Sequence, residues 1–331
     1  MEDIYRILDM MNDSRKKVLA TIIRVTGSAY KKEGSQMLFL EDGTQIGMLS
    51  AGCLEMDLAI QAQQVMKNQM AISLQYDMSE ETDLAWGQGA GCNGIIDILL
   101  EPVSEIYQRD LNIVKKLLAT NKTIALLKKY PESEEYMFIP NDGEPFGRWS
   151  GQIPRINFDL KSGVIVEQSI FLHIYQPKPR LIVFGAGPDA QPLVTLAAET
   201  GFSVTVCDWR EEFCQKKKFP QAAQLLVDFP TKLMEKISIS ADDFVVIMSH
   251  HFQRDQQILL SLIDKKLRYL GVLGPKERTK RLLQCDNVPE WIHSPMGMPI
   301  GAKGPIEITV SVVAEMIEVW RKPVCERVEY L

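Results

Sequence analysis

The sequence predicts an α/β protein, with a doubly wound parallel Rossmann sheet in its C-terminal half and an α+β domain before it. Three observations predict this. The stretch RLIVFGAGPDAQPLVTLAAETGFSVTVCDWR, from Arg180 to Arg210, runs from an apolar strand through a glycine turn and a helix to a second strand ending in an acid. Beyond it, strand-like and helix-like segments keep alternating to about Gln284. Before it, hairpin signals break the alternation, and HIYQPKPR, His173 to Arg180, reads as a proline-bearing linker. The domains predicted from this are 1–176 and 180–331, with His173 exposed in the linker.

Ile4, Ile7, Leu8 and Met11 recur at helical spacing, which predicts an amphipathic helix over residues 3 to about 14. Val18 to Val25 reads as a strand. Met37 to Leu40 and Gln45 to Leu49 flank Asp42-Gly43, a hairpin signal. Between strand and hairpin, GSAYKKEGS places Lys31 and Lys32 between glycines. That pattern suits an anion held by backbone N–H groups and ammonium charge, and equally suits a solvated turn.

GMLSAGCLE, Gly47 to Glu55, leads into a helix from about Leu54 to Lys67, so Gly52 and Cys53 sit at a helix start. There the macrodipole favours thiolate over thiol, which makes Cys53 a candidate soft-metal ligand or nucleophile. The alternative is a small buried side chain. After a strand near Ala71 to Tyr76, WGQGAGCNG surrounds Cys92 with glycines before the strand Ile95 to Leu100. If the two glycine-flanked cysteines lie on one sheet edge, Cys53 and Cys92 share a pocket. Glu105 to Ala119 reads as a helix, Thr123 to Tyr130 and Tyr136 to Ile139 as strands, and this middle region carries no chemical constellation.

In the C-terminal half, Leu181 to Phe184 is the first parallel strand. Gly185 permits the tight turn, Gly187 lets backbone approach a pyrophosphate, and Ala190 keeps the helix close to the sheet. Asp208 ends the next strand where a carboxylate commonly accepts from a ribose hydroxyl. Arg210 suits a 2′-phosphate, so the fingerprint predicts NAD or NADP without separating them. A Rossmann fold that has lost its ligand also satisfies it. Phe244 to Met248 and Tyr269 to Val272 continue the sheet, with helices near Asp255 to Lys265 and Lys276 to Gln284. Ser249, His250 and His251 fall at a strand's carboxyl end, where His250 is expected to line the crevice or act as an acid/base. The turn-rich His293 to Pro305 precedes a helix from about Ile306 to Trp320 and is expected to fold back over that crevice.

The net charge of -6 argues against a general nucleic-acid binder. The six cysteines form no CxxC pair, which argues against a zinc knuckle or a disulfide framework. The start, MEDIYRIL, lacks a signal-peptide core, and no apolar run reaches the length of a membrane span. A cytoplasmic location is expected.

Taken together, GSAYKKEGSQM, GMLSAGCLE, GAGCNG before IIDILLEP, GAGPDA, SHH and HSPMGMPIGAKGPIEITVSVVAEMI resemble the xanthine dehydrogenase accessory factors, the XdhC/CoxI family. The resemblance runs from about residue 17 to 320 and is weakest in the middle. It implies a dimeric chaperone that binds the molybdenum cofactor, a molybdopterin, and shelters it during sulfuration by a cysteine desulfurase-type donor. Such a chaperone then assists cofactor insertion into xanthine dehydrogenase or a related hydroxylase. On this chain the resemblance makes Gly52, Cys53, Cys92, Lys31, Lys32, Gly185, Gly187, Asp208 and His250 cofactor-contacting candidates, with the two cysteines as ligands to the metal. Departures are Ala51 where the family has glycine, Asn93 in the Cys-Gly-Gly pattern, Tyr30-Lys31-Lys32 for a Pro-Arg pairing, and Pro275 for a small hydroxyl residue. Lysine keeps the charge but loses the bidentate fork. The competing reading is an NAD(P)-dependent oxidoreductase using His250.

Overall fold

The computed structural model describes residues 2–78, 94–130, 134–165 and 169–322. Cys92 and the glycines at 87, 89 and 91 lie outside them. The chain divides into two compact units, Met1–Pro177 and Lys178–Leu331.

In the first unit α1 (Glu2–Asp9) precedes β1 (Lys17–Gly27), β2 (Gln36–Leu40), β3 (Gln45–Gly47), α2 (Glu55–Asn68), β4 (Ile72–Asp77) and β5 (Gly94–Pro102). These strands form one antiparallel sheet in the order β3-β2-β1-β5-β4. The Asp42-Gly43 turn closes the β2–β3 hairpin: Gly43 takes φ +86°, and Asp42 Oδ1 accepts from Thr44 N at 3.0 Å. The opposite faces of β1 feed two cores. Val18, Ala20 and Ile22 pack under α2, whereas Leu19 faces α1 and the next helix.

That next helix is α3 (Glu105–Ala119), capped by the Ser104 side chain accepting from Tyr107 N. Its buried stripe, Tyr107, Leu111, Val114 and Leu118, has helical periodicity. It packs against a second antiparallel sheet, β8-β7-β6-β10-β9, formed by β6 (Ile124–Lys129), β7 (Tyr136–Pro140), β8 (Phe146–Arg148), β9 (Gly163–Ile165) and β10 (Ile170–Tyr175).

Strand β10 corrects two readings of the sequence. His173 is not exposed in a linker. It lies in β10, its Nδ1 is 2.8 Å from Ser162 Oγ, and burial pushes its imidazole down to about 4. The two prolines drew the linker too far back, because only Gln176 onward is free of the β10–β6 ladder, which pairs Ile170 to Tyr175.

The second unit is a six-stranded parallel sheet in the order β13-β12-β11-β14-β15-β16. The elements run β11 (Arg180–Phe184), α4 (Ala190–Glu199), β12 (Ser203–Asp208), β13 (Gln224–Val227), α5 (Pro230–Lys236), β14 (Phe244–Ile247), α6 (Phe252–Leu262), β15 (Tyr269–Val272), α7 (Lys276–Leu283), β16 (Ile292–His293) and α8 (Gly304–Arg321). This is the doubly wound order in which the strand sequence reverses beside β11. Leu181 and Val183 enter a core with α4 and α8, while Ile182 and Phe184 enter another with α5, α6 and α7. Among the described residues no helix is long and apolar enough to cross a membrane.

Candidate functional site

In the first unit the segment before α2 is held by its own helix. Glu55 Oε1 accepts from Leu49 N at 3.1 Å and Ser50 N at 2.7 Å, and its Oε2 accepts from Ser50 Oγ at 2.5 Å. Burial of Glu55 works against its charge, but these Ser50 and Leu49 donors outweigh it and hold its carboxyl below the usual range. Ser50 Oγ in turn accepts from Leu54 N at 2.9 Å. Gly52, at φ +103°, turns the chain between these anchors, and among the described residues no atom beyond its chain neighbours lies within 4 Å of where a Cβ would stand. The result is a fixed base that the described residues leave open at Gly52, on which Cys53 sits half-buried and, among the described cysteines, unpaired. Ala29, from the loop that carries the lysines, packs on the same apolar core as Cys53.

That lysine loop is tied down at several points. Gly34 N donates to Ile22 O at 2.8 Å, Ser35 O accepts from Ile22 N at 2.9 Å, and Glu33 Oε1 accepts from Val25 N at 3.0 Å. Lys31 Nζ is paired with Asp3 Oδ2 of α1 at 3.2 Å, whereas Lys32 is exposed. The other described cysteines differ from Cys53. Cys207 and Cys214 are buried, and burial pushes the Cys207 thiol far up and that of Cys214 up to about 11. Cys285 is exposed and donates to Asn287 O. Among the described residues no group of three or more His, Cys, Asp or Glu side chains is placed to hold a metal ion.

In the second unit the glycine turn lies where the sequence puts it, between β11 and α4. Gly185 has φ +125°, and a Cβ there would stand 2.6 Å from Met248 C and O and 2.8 Å from Ser249 Cα. Its role in this turn is therefore close approach to the end of β14 as well as conformational freedom. Asp208 reaches back under the turn and is 1% exposed. Its Oδ2 accepts from Ala186 N at 2.7 Å and from the Arg210 guanidinium at 2.8 Å, and its Oδ1 from Arg210 N and Nε, both at 2.9 Å. Burial raises its proton affinity, but the Arg210 and Ala186 donors outweigh that and keep the carboxyl below its ordinary range. Around Arg210 stand Trp209, 4.5 Å from the guanidinium, and Phe213, at 4.3 Å.

A cavity of about 350 Å³ opens beside this turn at the carboxyl edge of the sheet. Its apolar lining includes Leu193, Met248, Leu273, Met296, Ile308 and Val312. Its polar lining is Asp189, His250, Asp255, Arg278 and Thr309. His250, a non-glycine residue at φ +59°, holds its Nε2 2.6 Å from Asp189 Oδ2. Asp255 is buried, takes the Ser249 hydroxyl, and accepts from the Arg278 guanidinium at 2.7 Å. Met296, Gly304 and Pro305 reach the cavity, so the segment after β16 does fold back over the crevice. Glu315 pins that segment, taking Gly297 N and the Tyr269 hydroxyl at 2.7 and 2.6 Å and lying 3.0 Å from His293 Nδ1.

Comparison with known proteins follows the same division. The model of the XdhC Rossmann domain matches residues 181–316, that of the XdhC and CoxI family residues 10–77, and the BH1974-like central domain residues 105–176. A Bacillus subtilis protein named as a probable xanthine dehydrogenase subunit is 41% identical over 331 residues, covering 96% of this chain and 98% of its own length. The chain belongs to the XdhC and CoxI family. A solved structure described as a xanthine dehydrogenase from Bacillus halodurans superposes with a TM-score of 0.88 at 47% identity, covering 96% of each chain. The Escherichia coli molybdenum cofactor insertion chaperone PaoD is 23% identical over 327 residues, covering 94% of this chain and 86% of PaoD.

Within this XdhC/CoxI chain, sequence reasoning brought Gly185, Gly187, Asp208 and His250 to one edge, and the structure places all four around the turn. It missed Asp189, Asp255 and Arg278 on the crevice wall and Glu55 behind Cys53. The signal for two of them was present. An acid stands inside the GAGPDA fingerprint itself, and Glu55 follows Cys53 by two residues.

Proposed function

We propose that this chain is a maturation factor that binds the molybdenum cofactor as cargo, assists its sulfuration, and delivers it to xanthine dehydrogenase or a related molybdenum hydroxylase. Its family membership and the names borne by its B. subtilis and E. coli relatives support the reading. One observation carries it to particular residues: a half-buried Cys53, unpaired among the described cysteines, stands just before α2 on a base fixed by Glu55, with Gly52 uncovered by any described residue. Cys53 directly precedes Leu54, the N-cap of α2, and a cysteine sulfur is a ligand suited to a soft metal centre. Cys92 is the second proposed sulfur ligand. Lys32, exposed on the loop whose Ala29 shares the Cys53 core, is the proposed contact for the cofactor's phosphate, with Lys31 held by Asp3. A homodimer in the cytoplasm, served by a cysteine desulfurase-type donor, completes the proposal.

The NAD(P)-dependent oxidoreductase reading finds less support in the second unit. A ribose hydroxyl needs an accessible acceptor at the end of β12, and Asp208 is buried with both oxygens engaged.

The test is Cys53→Ser in the full-length protein, with released pterin measured by fluorescence after oxidation. Hydroxyl is a far poorer soft-metal ligand than thiolate, so cofactor occupancy is expected to fall at least several-fold while the melting temperature stays within a few degrees. Unchanged occupancy would remove Cys53 from the site.

A further inference from the structure

In a dinucleotide-binding turn the pyrophosphate sits at the N-terminus of the first helix, drawn by free N–H groups and the helix dipole. Here that place holds an acid. Asp189 is the N-cap residue of α4, its Oδ1 stands 2.5 Å from where a Gly187 Cβ would be, and its Oδ2 is 2.6 Å from His250 Nε2. The carboxylate thus lies against the one glycine whose bare backbone would otherwise admit phosphate.

The rest of the cavity does not restore a preference for anions. Its ionisable lining pairs two acids with two basic groups that are both already engaged: Arg278 is bound to Asp255 and to Leu273 O, and His250 Nε2 lies 2.6 Å from Asp189 Oδ2. A pyrophosphate would bring two more negative charges next to Asp189 in a partly dehydrated site, where like charges repel far more strongly than in water. What the cavity does offer is a carboxylate acceptor at one end and flat apolar walls from Leu193, Met248, Leu273 and Met296. Its volume of about 350 Å³ accommodates a bicyclic heterocycle.

We propose that this crevice binds a heterocycle through its 2-amino-4-oxopyrimidine edge, with the ring N–H and the exocyclic amine donating side by side to Asp189, and that it excludes dinucleotides. A carboxylate has about four lone-pair sites, so Asp189 can accept two parallel N–H bonds while its Oδ2 keeps His250 Nε2. The adenine edge lacks that pair of adjacent donors, whereas pterins and guanine both carry it. The inference rests on the proposed function only for the choice of pterin as the source, since the acceptor and the cavity are independent of Cys53.

The test titrates the full-length protein with pterin and with lumazine, which differ only in the 2-amino group and its oxo replacement, followed by ligand fluorescence. GMP, AMP and NAD serve as competitors. Pterin is expected to bind at least 10-fold more tightly than lumazine, because a site built for an N–H donor is left unpaired by the analogue lacking it. Asp189→Asn is expected to weaken pterin at least 10-fold and to improve NAD binding. Competition by GMP but not AMP would support the edge chemistry while assigning it to a guanine nucleotide, and would leave the Cys53 occupancy test to judge the chaperone reading separately. Equal affinity for pterin and lumazine, or NAD binding more tightly than pterin to the unmutated protein, would overturn the proposal. The lumazine comparison needs no variant, so it stands even if Asp189→Asn fails to fold.

Discussion

The glycine turn before α4 and the glycine loop before α2 solve the same local problem by different means. In each, a short segment enters a helix and a carboxylate gathers backbone N–H groups. Before α4 the acid is Asp208, from the next strand, and the turn is closed against the end of β14 at Gly185. Before α2 the acid is Glu55, from the helix itself, and Gly52 meets no described residue where a side chain would stand. A carboxylate borrowed from another strand makes the turn part of the sheet, and its integrity depends on tertiary packing. A carboxylate from the same helix makes the loop self-supporting, so it keeps its shape with one side uncovered. The second arrangement suits a residue that must meet a large ligand.

The sharpest way to break the comparison is Gly185→Ala. The methyl group would meet Met248 and Ser249 backbone atoms within 2.8 Å, at a φ of +125° that alanine rarely adopts. Backbone strain and overpacking together predict a loss of about 3–5 kcal/mol. The melting transition of the second unit is expected to fall by about 10 °C, measured by circular dichroism.

Asp208→Asn comes next. It removes a charge that four donors converge on and leaves the Arg210 guanidinium, itself partly exposed, without its partner. Breaking such a pair is expected to cost about 2–4 kcal/mol. Denaturant unfolding measures the loss. If the acid instead serves mainly to hold a ribose, the variant will unfold near the unmutated midpoint and lose NAD affinity, which inverts the expectation.

The two loops also differ in how legible they are. The Rossmann unit was readable because its strands are short apolar runs and its turn chemistry is local: GAGPDA, Phe244 to Ile247 and Tyr269 to Val272 all announce themselves. Strand β13 and helix α5 escaped because Gln224–Val227 lies at the sheet edge with only partial burial, and α5 has just seven residues. Strands β8 and β9 have three residues each, too few to show a period. Strand β10 was obscured by the prolines beyond it. At the site, residue types were legible and their engagements were not. Nothing in the spacing of Asp208 and Arg210 reveals that the acid turns inward, and the Lys31–Asp3 pair joins residues from two separate elements. Glu55 was hidden for the opposite reason, since an acid in a first helical turn ordinarily reads as dipole compensation.

The mildest perturbation tests the open side directly. Gly52→Ala places a methyl group where no atom of the described residues beyond the chain neighbours lies within 4 Å, so none of them clashes, but φ +103° remains strained for any L-residue. The loop is expected to relax toward a commoner backbone geometry at a cost of about 1 kcal/mol. The melting temperature should then move by only a few degrees. The relaxation must shift Cys53, because Glu55 and Ser50 fix Leu49, Ser50 and Leu54, and Gly52 turns between them with its N–H donating to Ser50 O. Reaction of the Cys53 thiol with a disulfide reagent is expected to change several-fold in rate, in a background where Cys92, Cys285 and Cys325 are replaced by serine. A melting loss as large as that of Gly185→Ala would show that the loop is confined on every side, and the contrast between the two turns would then fail at its open end.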